Sequence, residues 1–282
     1  MNSTALVLGG GGSVGIAWEI GVLAGLLEGG IDARDADLIV GTSAGSVVGA
    51  SIAHGRDPRE LLEEHRSRAP REGGPAFVAP DAPATFQLWA SFDEITPGAA
   101  AAIGRQAMRA RTMPPEQWLA TFTANDWPGW PDKPLLITAV ACENGAFHVF
   151  DRTSRTPIER AVAASCAVPG LAPPVEIGGT HYMDGGVGSG TSADLAQRIE
   201  PDAVIIVAPL GWNDSGLGRI WGKHIAREVT TLESAGARVR LIQPDDAARA
   251  HMSNMMDPTQ ALPAATAGQS HARTLAAEWK DW

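Results

Sequence analysis

The chain has 282 residues, enough for one large domain or two small ones with a buried core. Hydrophobic residues make up 44% and charged residues 19%, a balance too apolar for a disordered chain. With 22 Lys and Arg against 32 Asp and Glu the net charge is −10, which argues against a nucleic-acid partner and against tight docking on anionic membranes, since both need clustered cations.

Cys142 and Cys166 are the only cysteines. They form neither a disulfide framework nor a Cys-x-x-Cys pair, and their apolar surroundings mark them as small buried side chains. The N-terminal MNSTALVLGGGG lacks a basic region and a small-residue cleavage site. No apolar run reaches the ~18 residues of a membrane span. The expectation is a soluble, cytoplasmic protein without stable membrane insertion.

In chain order, Thr4–Leu8 reads as a short buried strand stopped by four glycines, and residues 14–27 repeat apolar side chains at helical spacing until Gly29-Gly30. Asp37–Val40 is a second strand, and a helix follows Gly41-Thr42-Ser43-Ala44-Gly45 to about His54. This strand, loop, helix, strand, turn, helix order is a right-handed parallel start. From 67 to 132 the chain is rich in Pro, Ala and Gly, with Trp89, Trp118, Trp127 and Trp130 and helices expected at Pro97–Ala110 and Pro114–Thr123. It reads as a helical insertion over one edge of the sheet, a lid or a plain connector. Strands return at Leu135–Val140 and Phe147–Phe150 around Asn144-Gly145, and at Val175–Ile177 and Thr180–Met183 around Gly178-Gly179, two hairpin signals. Pro157–Cys166 is helical; Ala203–Val207 and Val239–Ile242 are strands; Gly218–Ala235 and Ala261–Trp282 are helices. The whole reads as an α/β fold in one unit spanning 1–282.

Three constellations stand at strand ends. Residues Gly10 to Gly15 fit G-x-G-x-x-G between a strand and a helix, where a helix N-terminus presents free N–H groups to a phosphate or an oxyanion. A dinucleotide site would place an acidic residue at the end of the second strand, which ends instead in Gly41-Thr42-Ser43; no Lys-Ser/Thr follows for a P-loop. Gly41-Thr42-Ser43-Ala44-Gly45 matches G-x-S-x-G at a strand–helix junction, the context of a nucleophile elbow. Its base is either a histidine, with His251 and His271 late enough for a Ser-His-Asp triad, or an acid in a Gly-rich turn, for which Asp184-Gly185-Gly186 stands out.

Together these features resemble the patatin-like phospholipase family: the Gly loop at the N-terminus, the elbow about thirty residues later, a Pro-containing block at Ala164–Pro174, and Asp184-Gly185-Gly186, with Asp184 141 residues after Ser43. The resemblance implies a three-layer α/β/α fold with a central, mainly parallel sheet and a Ser-Asp dyad that hydrolyses acyl esters of lipids. It makes Ser43 the nucleophile and Asp184 the general base. Backbone N–H groups of the Gly10-Gly11-Gly12-Ser13 loop would form the oxyanion hole, and Gly15, Gly41, Gly45, Gly185 and Gly186 are its motif glycines. No metal or organic cofactor is implied; the partner is a lipid or acyl-ester substrate. Family members often carry Arg or Lys where this chain has Val14, and an Asn near the place of Ser192. The alternatives are a non-catalytic lipid- or anion-binding protein of the same fold and an α/β-hydrolase-type esterase.

The remaining features read blandly. The nine tryptophans suit packing, with those at 89, 118, 127 and 130 also placed to line an acyl pocket. Asp245-Asp246 and Asp257 suit a solvated turn and a helix start. Arg105, Arg109 and Arg111 suit a solvated helix face or headgroup contact.

Overall fold

The computed structural model describes residues 3–67, 79–123, 125, 127–214 and 216–279. Most of the Pro- and Gly-rich head of the insertion, and the expected end of the last helix at Trp282, lie outside the described residues.

β1 (Thr4–Leu8) is apolar after Thr4 and buried on both faces, as a central parallel strand must be. It pairs in parallel with β2 (Leu38–Gly41) and β7 (Ala203–Val207), and β3 (Leu135–Ala141) and β8 (Arg238–Ile242) continue the parallel sheet outward from these two. Beyond β3 the direction reverses. β4 (Phe147–Phe150) and β6 (Thr180–Asp184) both run antiparallel to β3, and β5 (Val175–Ile177) is antiparallel to β6. The order is β5-β6-β3-β2-β1-β7-β8, with β4 also on β3.

The period-2 alternation of side chains sorts the strands into two cores. Leu6, Leu8, Ile39, Ile137 and Ile205 face a layer that includes α1 (Gly12–Glu28), α2 (Ala44–Ala53), α7 (Ile158–Ser165) and α10 (Ala261–Glu278). Ala5, Val7, Val40, Leu136 and Ile206 face α8 (Gly216–Ser234) and the 3-10 stretch Ala193–Ile199. The result is three layers around a mainly parallel sheet.

The insertion departs from a single cover over one edge. α4 (Ala82–Ala90) and α5 (Pro97–Ala107) pack through Trp89 and Ile103 on Val140 and Met183, beside α8. α6 (Pro115–Thr123) instead packs on α7 across the sheet, where Trp118 Nε1–H donates to Ala163 O at 3.0 Å. The chain between α5 and α6 passes the β5–β6 hairpin, with which it lines a groove. Three helices were not anticipated: α3 (Pro58–Ser67), α4 and the four-residue α9 (Asp246–Arg249), which stands where a solvated turn was expected. α5 stops at Ala107, so Arg109 and Arg111 lie beyond it, and Arg111 pairs with Asp81 at 2.8 Å rather than lining a helix face. Asp245 caps α9 (Asp246–Arg249) by accepting from Ala248 N–H.

Among the described residues no helix is long and apolar enough to cross a membrane.

Candidate active site

The C-terminal ends of β1 and β2 carry the Gly loop and the elbow, the edge at which parallel α/β sheets bind ligands. Ser43 stands between β2 and α2 at φ 53° and ψ −118°. For a residue with a Cβ such a conformation costs ~1–3 kcal/mol and persists only where its surroundings over-determine it. Here they do. Ser43 N–H donates to Ser165 Oγ at 2.8 Å, and Ser43 O accepts from Ser46 N–H at 2.8 Å, Ser46 Oγ–H at 2.6 Å and Cys166 Sγ–H at 3.2 Å. Gly45 is forced by packing: its N–H donates to Gly9 O at 2.9 Å, and a Cβ there would overlap the Leu8 carbonyl oxygen. The elbow is thus pressed onto the end of β1.

Asp184 ends β6 and is 3% exposed. Its N–H donates to Ala167 O at 2.9 Å, and its Oδ1 accepts from Gly186 N–H at 2.7 Å. Burial pushes its carboxyl up to about 7, against the Ser43 hydroxyl and the Gly186 N–H, which pull it down. The hydroxyl is thus near enough to act on the carboxyl, yet Oδ2 has no hydrogen bond of ordinary geometry among the described residues. Loose alignment of this kind is common in sites without substrate. Ser165 and Ala167, in the Pro-containing block, hold Ser43 and Asp184 respectively, so one short segment sets the spacing of both.

The Gly loop divides its N–H groups. Gly10 N–H is spent on Gly190 O at 2.8 Å, which removes it from the four expected oxyanion donors in this state. The N–H groups of Gly11, Gly12 and Ser13 open α1, where a helix has no internal acceptors, and find no partner among the described residues. Gly12 sits at φ +57°, and a Cβ there would strike the Met255 carbonyl oxygen. That carbonyl also accepts from Val14 N–H at 3.0 Å and Ser13 Oγ–H at 3.3 Å. Val14 itself is fully buried in the core, so its side chain offers nothing to the site.

Ser43, Asp184, Gly10, Gly11 and Gly12 all line one cavity of about 180 Å³; Ser13 does not. Its walls are apolar: Phe86 and Trp89 of α4, Val168, Leu171, Leu210 and Trp221. Trp221 meets Trp89 edge-on, ring centres 5.5 Å apart. Met255 and Met256 line it as well. Of the four insertion tryptophans, Trp89 alone lines it; Trp118 is in the core, and Trp130 Nε1–H donates to Thr156 O. Val168 and Leu171 fall inside the Pro-containing block. Trp221, Leu210, Met255 and Met256 gave no sequence signal, because only the fold brings them here. No histidine, lysine or arginine is among the described lining residues. His251 Nδ1 pairs with Gln260 Oε1 at 2.9 Å, and His54 is bonded through both ring nitrogens to backbone carbonyls.

Residues 6–196 match the family model described as patatin-like phospholipase. Over 224 residues the chain is 28% identical to lysophospholipase nte1 of Aspergillus niger and 27% identical to that of Aspergillus fumigatus. These alignments cover 79% of this chain and only 13% of each fungal protein, so the chain spans a small part of the curated relatives it matches. Among solved structures, VipD from Legionella pneumophila aligns over 98% of this chain and 67% of its own, with a TM-score of 0.49 at 13% identity. The type III effector protein ExoU aligns over 98% and 53%, with a TM-score of 0.45 at 14% identity. The family match covers well over half of the chain and takes in the Gly loop, the elbow and the Asp184 turn: the chain belongs to the patatin-like phospholipase family.

Proposed function

We propose that this chain is a serine acyl hydrolase that cleaves carboxylic esters of lipids, with Ser43 as nucleophile and Asp184 as its general base. The observation that carries this reading is the meeting of a strained, pinned serine and a buried carboxyl displaced to about 7 in one apolar cavity. A carboxylate of ordinary pKa, about 4, is too weak a base for a serine hydroxyl; one held near neutrality is matched to the task.

In the proposed reaction Asp184 accepts the Ser43 proton as Oγ attacks the ester carbonyl. The N–H groups of Gly11 and Gly12, at the positive end of α1, receive the developing oxyanion, a term typically worth several kcal/mol. The tetrahedral intermediate collapses, Asp184 returns the proton to the departing alcohol, and the acyl group stays on Ser43. Water then enters and gives a proton to Asp184 as its oxygen attacks the acyl carbonyl; the second tetrahedral intermediate collapses, Asp184 returns that proton to Ser43 Oγ, and the fatty acid leaves with both groups regenerated. The chain's own groups suffice for each step. The names of the fungal relatives and the apolar walls both favour a lysolipid-like ester over a small polar one.

The cavity limits what enters. Its walls of apolar side chains around about 180 Å³ suit an acyl chain and disfavour a charged group, which would lose its hydration there. A triad reading would need a histidine beside Ser43, and a purely binding role would leave the strain at Ser43 without a use.

The test is Ser43→Ala. It abolishes p-nitrophenyl butyrate turnover and fluorophosphonate labelling while circular dichroism stays native. Turnover undiminished in that variant refutes the reading.

A further inference from the structure

Glu228 lies on α8 and is buried, and the proposed hydrolysis gives it no chemical step. A buried carboxylate is costly unless its lone pairs are occupied. Its Oε1 accepts from Ser189 Oγ–H at 2.5 Å, and its Oε2 accepts from Thr191 Oγ1–H and, at 2.9 Å, from Ala193 N–H. Ser189 Oγ accepts in turn from Thr191 N–H at 3.3 Å and Ser192 N–H at 3.0 Å. Both carboxylate oxygens are therefore committed to one loop of five residues, 189–193.

That loop touches every part of the candidate site. Gly190 O accepts from Gly10 N–H at 2.8 Å, at the head of the oxyanion loop. Thr191 O accepts from Thr42 Oγ1–H at 3.4 Å, one residue before Ser43, and Thr42 Oγ1 also bonds Thr138 Oγ1 at 2.8 Å. The loop follows Asp184-Gly185-Gly186 after two intervening residues, Ser189 N–H donates to Gly185 O at 3.1 Å, and Gly186 O accepts from Trp221 Nε1–H at 2.8 Å. Trp221 precedes Glu228 by two helical turns, so the same face of α8 grips the Asp184 turn at one point and the loop at another.

We propose that Glu228 is a positioning residue for the hydrolysis: by clamping 189–193 it fixes the Gly10 end of the oxyanion loop and the Thr42 side of the elbow relative to Asp184. The proposal rests on the Ser43–Asp184 reading for its catalytic part; the clamp itself does not. Placement errors of about 1 Å far from the chemistry can cost 10²-fold in rate, so a loop that sets three parts at once is a sensitive point.

The test is Glu228→Gln, which keeps the shape. Whichever way the amide turns, its NH₂ meets a group that donated to the carboxylate, either Ser189 Oγ–H or the Thr191 and Ala193 pair. Two quantities are read: hydrogen exchange at the Gly10 amide by NMR, and kcat and KM for p-nitrophenyl butyrate. The expected result is Gly10 exchange faster by about tenfold or more, and kcat lower by about 10- to 100-fold with KM within about twofold. Unchanged Gly10 exchange overturns the clamp, and faster exchange with unchanged kcat overturns its role in catalysis. Should Glu228→Gln fail to fold, Thr191→Val removes one donor isosterically and is read the same way, with smaller effects. Failure of the dyad shows itself separately, as turnover retained in Ser43→Ala, while Gly10 exchange in Glu228→Gln still decides the clamp.

Discussion

Asp184 is where burial and chemistry oppose each other most directly. Its carboxyl is raised by burial from 3.8 to about 7, so as a general base it is active only when deprotonated. The rate on a neutral ester should therefore climb through about pH 7 and level off above it; a profile flat down to pH 5 would remove Asp184 from the role. The same displacement fixes a stability signature. The folded chain holds this proton to a higher pH than the unfolded chain, so the contribution is full below the unfolded value and is lost as pH rises through about 7. At ~1.4 kcal/mol per pKa unit, the loss amounts to roughly 4 kcal/mol at most. Glu19 and Glu228, also raised by burial, act in the same direction. Asp184→Asn keeps the acceptor for Gly186 N–H and removes the charge. It should lower kcat by about 10³-fold or more and yet raise Tm at pH 8, with the gain vanishing near pH 4. Thermal melts across pH decide this, and a less stable Asn variant at pH 8 would show that the ionised carboxylate is well solvated after all.

At the scale of elements, what the sequence made legible was local. The strand, Gly loop, helix and elbow of the first fifty residues are spelled out by period, glycines and the G-x-S-x-G pattern, and the two Gly-marked hairpins fall where their turns require. α3 and α4 were missed because one is strongly polar and the other short, with a proline near its start and few periodic apolar positions. The cavity walls were legible only in part, since which tryptophan faces Ser43 depends on which face of the sheet each insertion helix meets. α4 delivers Trp89 to the cavity, whereas α6 buries Trp118 against α7. This separates two otherwise similar substitutions. Trp89→Phe enlarges the cavity and should shift the optimum of kcat/KM toward longer acyl chains. Trp118→Phe should cost stability, through the lost Nε1–H bond and packing, and leave the chain-length profile alone. Esters from acetate to dodecanoate, assayed on both variants, separate the outcomes; a shifted profile for Trp118→Phe would mean that α6 reaches the acyl path.

Across the whole molecule, charge and cavity point to the same physical form of substrate. The net charge of −10 repels an anionic surface, and each basic residue near such a surface is worth only about 1 kcal/mol of attraction. The basic residues expected to meet a headgroup do not gather: Arg111 is held by Asp81, and no Lys or Arg is among the described residues lining the Ser43 cavity. Nor does position 14 supply the contact, since Val14 points into the core. What remains favourable for binding is apolar contact with the acyl chain, at ~25 cal/mol per Å² buried, and that contact requires the chain to leave its surroundings first. Leaving water costs an acyl chain nothing of this kind, because its apolar surface is already exposed there; leaving a packed bilayer forfeits burial it already had. Monomeric esters and dispersed lysolipids should therefore be cleaved with higher kcat/KM than phospholipid in anionic vesicles, and rising salt should narrow the gap by screening the repulsion. Turnover of the same acyl group, presented as a monomer and in phosphatidylglycerol vesicles at low and high salt, measures this. A preference for vesicles that weakens with salt would instead reveal a basic surface on the assembled protein and overturn the expectation.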